Sequence, residues 1–520
     1  MIDIKILCFL LGRAMFSMSI MYILPICYAL FTNQSEKILS FFVMLMIISA
    51  IAATILTYKS TGYRQRIKII ESALTMILVW ILLTIFGSIP FMVTNWLSPF
   101  EAILETVSDL TAAGLSLLSP DAPYILKLWQ ASLMWLGSFV FLSILVTILP
   151  EVSGCFGLEL SLNQGQIFSP MIGQMRSMAR KILLIYEVLT LISFIMFKLA
   201  GLNNFDSLSM AMRCISTGGG DFFPSRGNVY IEYAAMFSML IACGNFLLYF
   251  RLINTIIPPV SSLHLKKIGM KNFAKRIHNL IIEFFMLIKR NCLSNLKIFF
   301  NNSEVQFLIV SIFFGTSIIL FTTFTKKYIF DGNEAFRLAL FHVISYISTT
   351  GFNLVDLTNA PDFDRFFLFL IVTIGGCMGS VTGGLKVIRV IILFKLFKIE
   401  TLKTIHPKMI TSIKISGAAV PMKIVGRVLA FFFLCSVTMF LFAIILSLSG
   451  QSFSTSVAMS LACLTNTGIL PGICDPSDFI ALPAVMKLFC CLILIVGRME
   501  IFAFLIVILF AHSNRDRQQW

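Results

Sequence analysis

Residues 422–449 read MKIVGRVLAFFFLCSVTMFLFAIILSLS, a long apolar run almost free of charge. A helix that crosses a bilayer needs about 20 mostly apolar residues. The sequence offers ten such stretches with soft boundaries, at 5–31, 38–58, 69–95, 125–150, 181–201, 229–255, 304–325, 363–397, 422–449 and 482–511. The eighth is too long for one crossing and is interrupted by glycines at 375–384. Charged residues make up 12% of the 520, half of what a soluble domain carries. The chain therefore reads as an all-α polytopic membrane protein of about ten transmembrane helices. Its apolar N-terminal stretch reads as a retained first span, since no small-residue cleavage site follows it.

The net charge of +15 has two readings, a nucleic-acid surface or a cytoplasmic bias of Lys and Arg, and position decides between them. Every second loop is basic: 59–68 with Lys59, Arg64, Arg66 and Lys68, 151–180 with Arg176 and Arg180, 256–303 with eight Lys or Arg against Glu283, and 398–421 with Lys398, Lys403, Lys408 and Lys414. The alternate loops, 96–124, 202–228, 326–362 and 450–481, hold mostly acids. This alternation puts both termini in the cytoplasm, accounts for most of the charge and leaves no need for a nucleic-acid partner. The stretch 280–288, LIIEFFMLI, fits either an amphipathic helix on the inner membrane surface or a helix packed on the bundle. The 12 Cys form no C-x-x-C pair and the five His are scattered, which argues against a disulfide framework or a zinc site. No nucleophile–base or acid–base constellation stands out, which argues against an enzyme, and nothing calls for a cofactor bound by this chain.

The four acidic-side loops share a construction. Each has a short, partly apolar stretch of about a dozen residues opened by a helix-start signal (Ser98 then Pro99, Asn203 or Asn204, Asn333 then Glu334, Ser452 or Ser454) and closed by a tetrad ending in glycine. The tetrads are Thr111-Ala112-Ala113-Gly114, Ser216-Thr217-Gly218-Gly219, Ser348-Thr349-Thr350-Gly351 and Thr465-Asn466-Thr467-Gly468. One such tetrad is an ordinary turn signal; four, on one side and each between spans, read as a fourfold repeat of span, re-entrant half-helix, extended loop and span. Irregular backbone at membrane depth is tolerated where it is buried or lines a water-filled cavity. Four extended tetrads can point carbonyls at a common axis and replace a cation's hydration shell, and half-helix C-termini aimed there favour a cation as well. Asp109 and Asp221 either concentrate cations at the outer mouth or are solvated loop charges.

Within the eighth span, Gly375, Gly376, Gly379, Ser380, Thr382, Gly383 and Gly384 break the helix. A phosphate-binding loop is excluded because the Gly-Lys-Ser/Thr ending is missing and no strand precedes it. Unwound backbone in a pore, able to move and block it, is the better reading. Lys386 reads as a lysine snorkelling to the inner interface or as a positive charge that sets the barrier to cations inside the filter. Arg498, with Glu500 near it, lies in the last span and reads as ordering filter or gate, whereas Arg13 in the first span reads as structural or interfacial.

The tetrads, together with GGCMGSVTGGLKVIR at 375–389, GRMEIF at 497–502 and LGSFVFLSILVTILP at 136–150, resemble the Trk/Ktr/HKT potassium transporter superfamily, and most closely its TrkH branch, over essentially the whole chain. The resemblance implies a K+-conducting subunit with four pore-loop repeats, in which the tetrads bind K+ as transported ion and 375–384 with Lys386 and Arg498 forms an intramembrane gate. It further implies a homodimer in the lipid of a bacterial inner (plasma) membrane, with a cytosolic nucleotide-binding regulatory subunit as partner. The glycine closing each tetrad goes with K+ in that family, and a Na+-permeable or weakly selective transporter of the same architecture is the alternative. The first tetrad, Thr-Ala-Ala-Gly, is poorer in hydroxyls than is usual there, and Gly220-Asp221 follows the second where a bulky apolar residue is the rule. The expected organisation is an N-terminal hairpin at 1–60, pore repeats at 61–155, 156–258, 304–400 and 401–520, and a basic linker at 259–303.

Overall fold

The computed structural model describes residues 3–32, 36–58, 60, 69–147, 172–220, 223–224, 227–246, 248–249, 300–326, 332–355, 357–409, 411–415, 418–470, 472–499, 501, 504–505 and 507. The segment 280–288, Asp221, Glu500 and the whole of 259–299 lie outside the described residues.

Apolar runs become helices because a helix satisfies its own amides, and boundaries fall where the sequence supplies a cap or a break. In chain order the helices are α1 (Ile4–Met21), α2 (Ile23–Phe31), α3 (Glu36–Tyr58), α4 (Ile69–Val93), α5 (Pro99–Leu110), α6 (Tyr124–Thr147), α7 (Ile172–Leu199), α8 (Asn204–Ser216) and α9 (Val229–Cys243). They continue with α10 (Ser303–Lys326), α11 (Gly332–Ile347), α12 (Asp362–Ile374), α13 (Val387–Ile405), α14 (Met422–Ser447), α15 (Phe453–Leu464), α16 (Pro476–Ile480) and α17 (Ala484–Met499). A two-residue antiparallel ladder, Lys414–Ile415 with Ala418–Ala419, interrupts the helices before α14.

Among the described residues seven helical stretches are long and apolar enough to span a bilayer, and they coincide with seven of the ten expected runs. The other three differ for local reasons. The 229–255 run breaks after Cys243, where Gly244 is extended, and helical backbone resumes at Phe246. The 363–397 run is two helices with non-helical backbone from Gly375 to Lys386, as its glycines predict. The last run is helical from Ala484 to Met499, and its continuation is only partly described. The first run bends at Tyr22, where Pro25 cannot donate to the preceding turn.

Of the four short helices α5, α8, α11 and α15, all but α11 begin where the caps predict. Pro99 opens α5, and the Glu101 carboxylate accepts from Ser98 N–H at 3.1 Å. Asn203 Oδ1 accepts from Asp206 N–H at 2.7 Å, and Ser452 Oγ from Thr455 N–H at 3.2 Å. α11 starts one residue ahead of its expected signal, at Gly332. Each short helix packs against its neighbours in sequence: α5 against α4 and α6, α8 against α7 and α9, α11 against α10 and α12, α15 against α14 and α17. Contacts of α8 with α6, α11 with α9, and α5 with α17 join these groups.

The N-terminal helices dock on this assembly through Tyr22. Its ring stacks on Trp129 at 4.5 Å, its hydroxyl donates to Phe86 O, and Trp129 Nε1 donates to Gly87 O, so both aromatic polar tips are satisfied in an apolar core. Arg13 is exposed and lies 5.6 Å from the Phe9 ring centroid, in keeping with an interfacial role.

Two glycines let long helices press on the ends of short ones. A Cβ at Gly137 of α6 would strike Leu110 O, with the Leu110 carbonyl carbon 2.5 Å away, and one at Gly497 of α17 would strike Leu464 O. Leu110 and Leu464 each immediately precede a tetrad, so both contacts set the depth of a half-helix end. Alanine is the better helix former by about 1 kcal/mol, but overpacking against backbone costs about 1–3 kcal/mol. Gly497→Ala is therefore expected to lower the melting temperature in detergent by several degrees. Gly426→Ala on the open face of α14, where nothing lies within 4 Å of an added Cβ, is expected to leave it unchanged or raise it.

Candidate functional site

All sixteen tetrad residues are buried, and they converge. A Cβ on Gly114 would lie 2.5 Å from Gly218 O, and one on Gly351 would lie 2.8 Å from Thr467 O. Cβ atoms on Gly219 and Gly468 would collide with Thr350 O and Ala113 O. The first tetrad thus abuts the second, the second the third, the third the fourth, and the fourth the first. These four contacts close a ring of main chain, and glycine is required at each because a side chain would occupy the neighbour's carbonyl.

The tetrads are not extended, contrary to the sequence expectation. The second residue of each is left-handed, with φ of 52° at Ala112, 58° at Thr217, 53° at Thr349 and 52° at Asn466, and the glycine follows at 76°, 29°, 77° and 74°. The reason is the way the half-helices end. The amide of the second residue donates three residues back (Ala112 to Asp109 O, Thr217 to Cys214 O, Thr349 to Tyr346 O, Asn466 to Cys463 O). The amide of the third donates five back (Ala113 to Ser108 O, Gly218 to Arg213 O, Thr350 to Ser345 O, Thr467 to Ala462 O). This is a Schellman-type helix end with the left-handed position filled by Ala, Thr, Thr and Asn in place of the usual Gly. Its consequence is directional. The donors fold back into the helix and the carbonyls are left over.

Few of those carbonyls have protein donors. Ser216 O accepts from Ser138 Oγ at 2.9 Å, Gly219 O from Arg213 Nη1 at 2.9 Å, Thr467 O from Ile469 N–H at 2.9 Å, and Gly351 O has a long 3.4 Å approach from Asn353 Nδ2. The other twelve have none among the described residues. The hydroxyls do not supply donors either. Thr111 and Thr465 bond to Val107 O and Leu461 O of their own half-helices, while Ser348 pairs with Thr350 and Thr465 with Thr467 at 2.7 and 3.0 Å. Buried carbonyls without donors are costly unless something else meets them.

The glycine-rich segment between α12 and α13 lies against this ring. Gly383 N–H donates to Thr349 Oγ1 at 2.9 Å, and a Cβ on Gly383 would collide with Thr465 O. Gly376, Gly379, Ser380 and Thr382 are held by a mesh of bonds, with Gly384 packed beside Gly375. Cys377 N–H donates to Cys243 O at 3.0 Å, the carbonyl exposed by the early end of α9, and Phe246 N–H donates to Gly379 O at 3.2 Å. Gly376 N–H donates to Thr382 Oγ1, whose hydroxyl pairs with Ser380 Oγ at 2.7 Å. Gly375 and Gly384 have φ of 70° and 72°, and each would meet the other's strand if it carried a side chain.

Lys386 does not snorkel. It is 3% exposed, takes a left-handed φ of 76°, and curls back so that Nζ reaches Thr382 O, Thr382 Oγ1 at 3.1 Å, Ser380 Oγ at 3.3 Å and Ser380 O at 3.4 Å. The Glu304 carboxylate accepts from Met378 N–H at 2.9 Å in the same segment. Arg498, 2% exposed, donates to Val381 O at 2.8 Å and to Ser138 Oγ at 3.1 Å, beside the Phe141 ring. Because Ser138 also donates to Ser216 O, one short chain of bonds ties the glycine-rich segment, α6 and the second tetrad.

Sequence reasoning missed a polar group behind the first two tetrads. Arg213 is fully buried and bonds to Gly219 O and to Gln130 Oε1, Gln130 Nε2 bonds to Glu105 Oε1, and Glu105 Oε2 accepts from Leu117 N–H at 2.6 Å. Only the buried registers of three separate helices, invisible in a linear reading, bring these residues together. Asp109 is neither a solvated loop charge nor exposed at a mouth. It is wholly buried in the last turn of α5, whose C-terminal end points into the bundle, and its carboxylate oxygens have no hydrogen-bond partner among the described residues.

The sequence profile of TrkH, a cation transport protein family, matches residues 35–516. This chain belongs to the TrkH family. It is 28% identical over 459 residues to the Trk system potassium uptake protein TrkH of Halomonas elongata, covering 86% of each chain. It is 23% identical over 523 residues to the Trk system potassium uptake protein TrkG of Escherichia coli strain K12, covering 98% of each. The crystal structure of the potassium transporter TrkH from Vibrio parahaemolyticus superposes with a TM-score of 0.80 at 22% identity, over 97% of this chain and 98% of that one, and so shares the fold. The family and the apolar helices make this an integral membrane protein of a group of transporters, not of enzymes.

If Arg498 holds the glycine-rich segment in place, Arg498→Met frees Val381 O and loosens it. Cys377, fully buried in that segment, is then expected to react with a membrane-permeant thiol reagent at least about tenfold faster, the factor carried by one charge-assisted hydrogen bond. Labelling rates of a variant that retains Cys377 alone would measure this.

Proposed function

We propose that this chain is the K+-conducting subunit of a K+ uptake system and passes the ion through the ring of four tetrads. The observation that carries the reading is the closed ring itself: four half-helix ends whose donors turn back into the helix and twelve of whose sixteen tetrad carbonyls have no donor among the described residues. Such carbonyls stand in for the water around a monovalent cation, and the negative ends of four half-helices add to the field. The names of the Halomonas elongata and Escherichia coli relatives, both potassium uptake proteins, support K+ as the cargo.

In this reading Thr111–Gly114, Ser216–Gly219, Ser348–Gly351 and Thr465–Gly468 are the filter of four span–half-helix–span repeats about a central pore. The segment Gly375–Gly384 is the gate beneath it. Lys386 places a cation on the gate's own oxygens, where a permeating K+ would otherwise be coordinated, and Arg498 latches the gate to α6. The functional unit is a homodimer in the bacterial inner membrane with both termini cytoplasmic, controlled by a cytosolic nucleotide-binding subunit, and the basic linker 259–303 faces that side.

Potassium-limited growth of a transport-deficient strain tests the function, and rubidium against sodium flux in proteoliposomes tests the selectivity; sodium flux equal to rubidium would overturn it. Gly351→Ala is expected to cut rubidium uptake to below about a tenth, since the added methyl meets Thr467 O and overpacking of that kind costs about 1–3 kcal/mol. Lys386→Ala is expected to raise uptake severalfold by removing the tethered charge, with Lys386→Arg leaving it near wild type.

A further inference from the structure

Resting on that reading of the ring, we propose that Arg213 sets the affinity of the filter's outermost site by withdrawing one of its four glycine carbonyls. The glycines are the last residues of the tetrads and so form the outer layer of a re-entrant loop.

The second tetrad breaks the pattern of the other three at this layer. Gly219 has φ of 29°, where Gly114, Gly351 and Gly468 lie at 76°, 77° and 74°. The residue six places before each glycine explains the difference. In the first and third loops it is serine, and Ser108 Oγ and Ser345 Oγ donate to Leu115 O and Phe352 O at 2.9 and 2.8 Å, the carbonyls one residue beyond the glycine. In the second loop it is Arg213, whose longer arm takes the carbonyl of the glycine itself, at 2.9 Å. The fourth loop has Ala462, which supplies no tether. Gly220 is the complement of this arrangement: its φ is 93°, and a Cβ there would sit 3.0 Å from Arg213 Nη1. The two departures of the second loop, an arginine before the tetrad and a glycine after it, are one device.

The guanidinium is held from behind. Nη2 bonds to Gln130, which bonds to Glu105, so the positive charge beside the ring is balanced by a carboxylate on the first half-helix. A carbonyl committed to a guanidinium is a poorer ligand for a passing cation, because its lone pair is shared with a fixed positive group. Among the described residues the outer layer then offers K+ the carbonyls of Gly114 and Gly468 without a donor and that of Gly351 with only the long approach from Asn353 Nδ2. Loading of that site is weakened by a fixed charge, while the inner layers lose only Ser216 O and Thr467 O, to the neutral donors Ser138 Oγ and Ile469 N–H. Arg213 is thus a positioning residue for Gly219 O and through it a determinant of K+ affinity.

The test is the kinetics of rubidium uptake by the full chain in a transport-deficient strain, normalised to the amount of protein in the membrane. Two variants are compared with wild type. Arg213→Ser combined with Glu105→Gln installs the residue of the first and third loops and removes the carboxylate that would be stranded. Arg213→Lys keeps the charge but replaces the two-pronged fork with one head that cannot hold Gly219 and Gln130 together. The double variant is expected to lower KM about tenfold, with Vmax changing less than KM, and Arg213→Lys to shift KM in the same direction by less. A KM in the double variant equal to wild type, or a loss confined to Vmax, would overturn the assignment, and so would a wild-type KM in Arg213→Lys, which would mean that the charge alone matters. Absence of rubidium uptake by wild type would instead refute the filter reading on which it rests.

Discussion

The way four short helices end governs the rest of this structure. A helix leaves its last carbonyls without partners, and the chain that follows must either solvate them or fold its own amides back onto them. Here it folds back, in the same two hydrogen bonds at all four ends. The amides of the second and third tetrad residues are consumed, most tetrad carbonyls have no donor among the described residues, and these are gathered at one place in a low-dielectric interior. Long helices on every side hold the ends at that depth, and Gly137 and Gly497 give two of them room to do so.

The glycine-rich segment between α12 and α13 solves the same problem differently. Its backbone is irregular at membrane depth, so its polar groups are met by what the chain brings to it: Cys243 O from the truncated α9, Glu304 from α10, Thr349 from the third tetrad, and Lys386 and Arg498 as cationic donors to its carbonyls. Side chains, more than repeating backbone ladders, hold it. Bonds of that kind can be exchanged one at a time.

The sequence displays what depends on residue type at a fixed place. The four terminal glycines are legible because a left-handed backbone pressed against a neighbouring carbonyl admits little else, and the caps at Ser98, Asn203 and Ser452 announce the half-helices. Apolar length finds the spans, and the glycines at 375–384 find the break. What stays hidden depends on partners distant in sequence. The left-handed Ala112, Thr217, Thr349 and Asn466 carry no composition signal, because the helix end imposes their conformation. The end of α9 at Cys243 reflects a bond to a loop more than a hundred residues on. Asp109 looks like a mouth charge until the helix that carries it is seen to point inward. The Arg213–Gln130–Glu105 group needs three helices in register before it exists.

The four loops lean on one another in a cycle, each lending its main chain as a wall for the one before. A cycle has no free end at which an error can be absorbed. A change in one loop's backbone is passed to the next and returns, so the loops are constrained as a set even though they were written into the chain separately. Their spellings, TAAG, STGG, STTG and TNTG, record the outcome. The first three letters have drifted apart within a single molecule. The last letter, which faces a neighbour, has not.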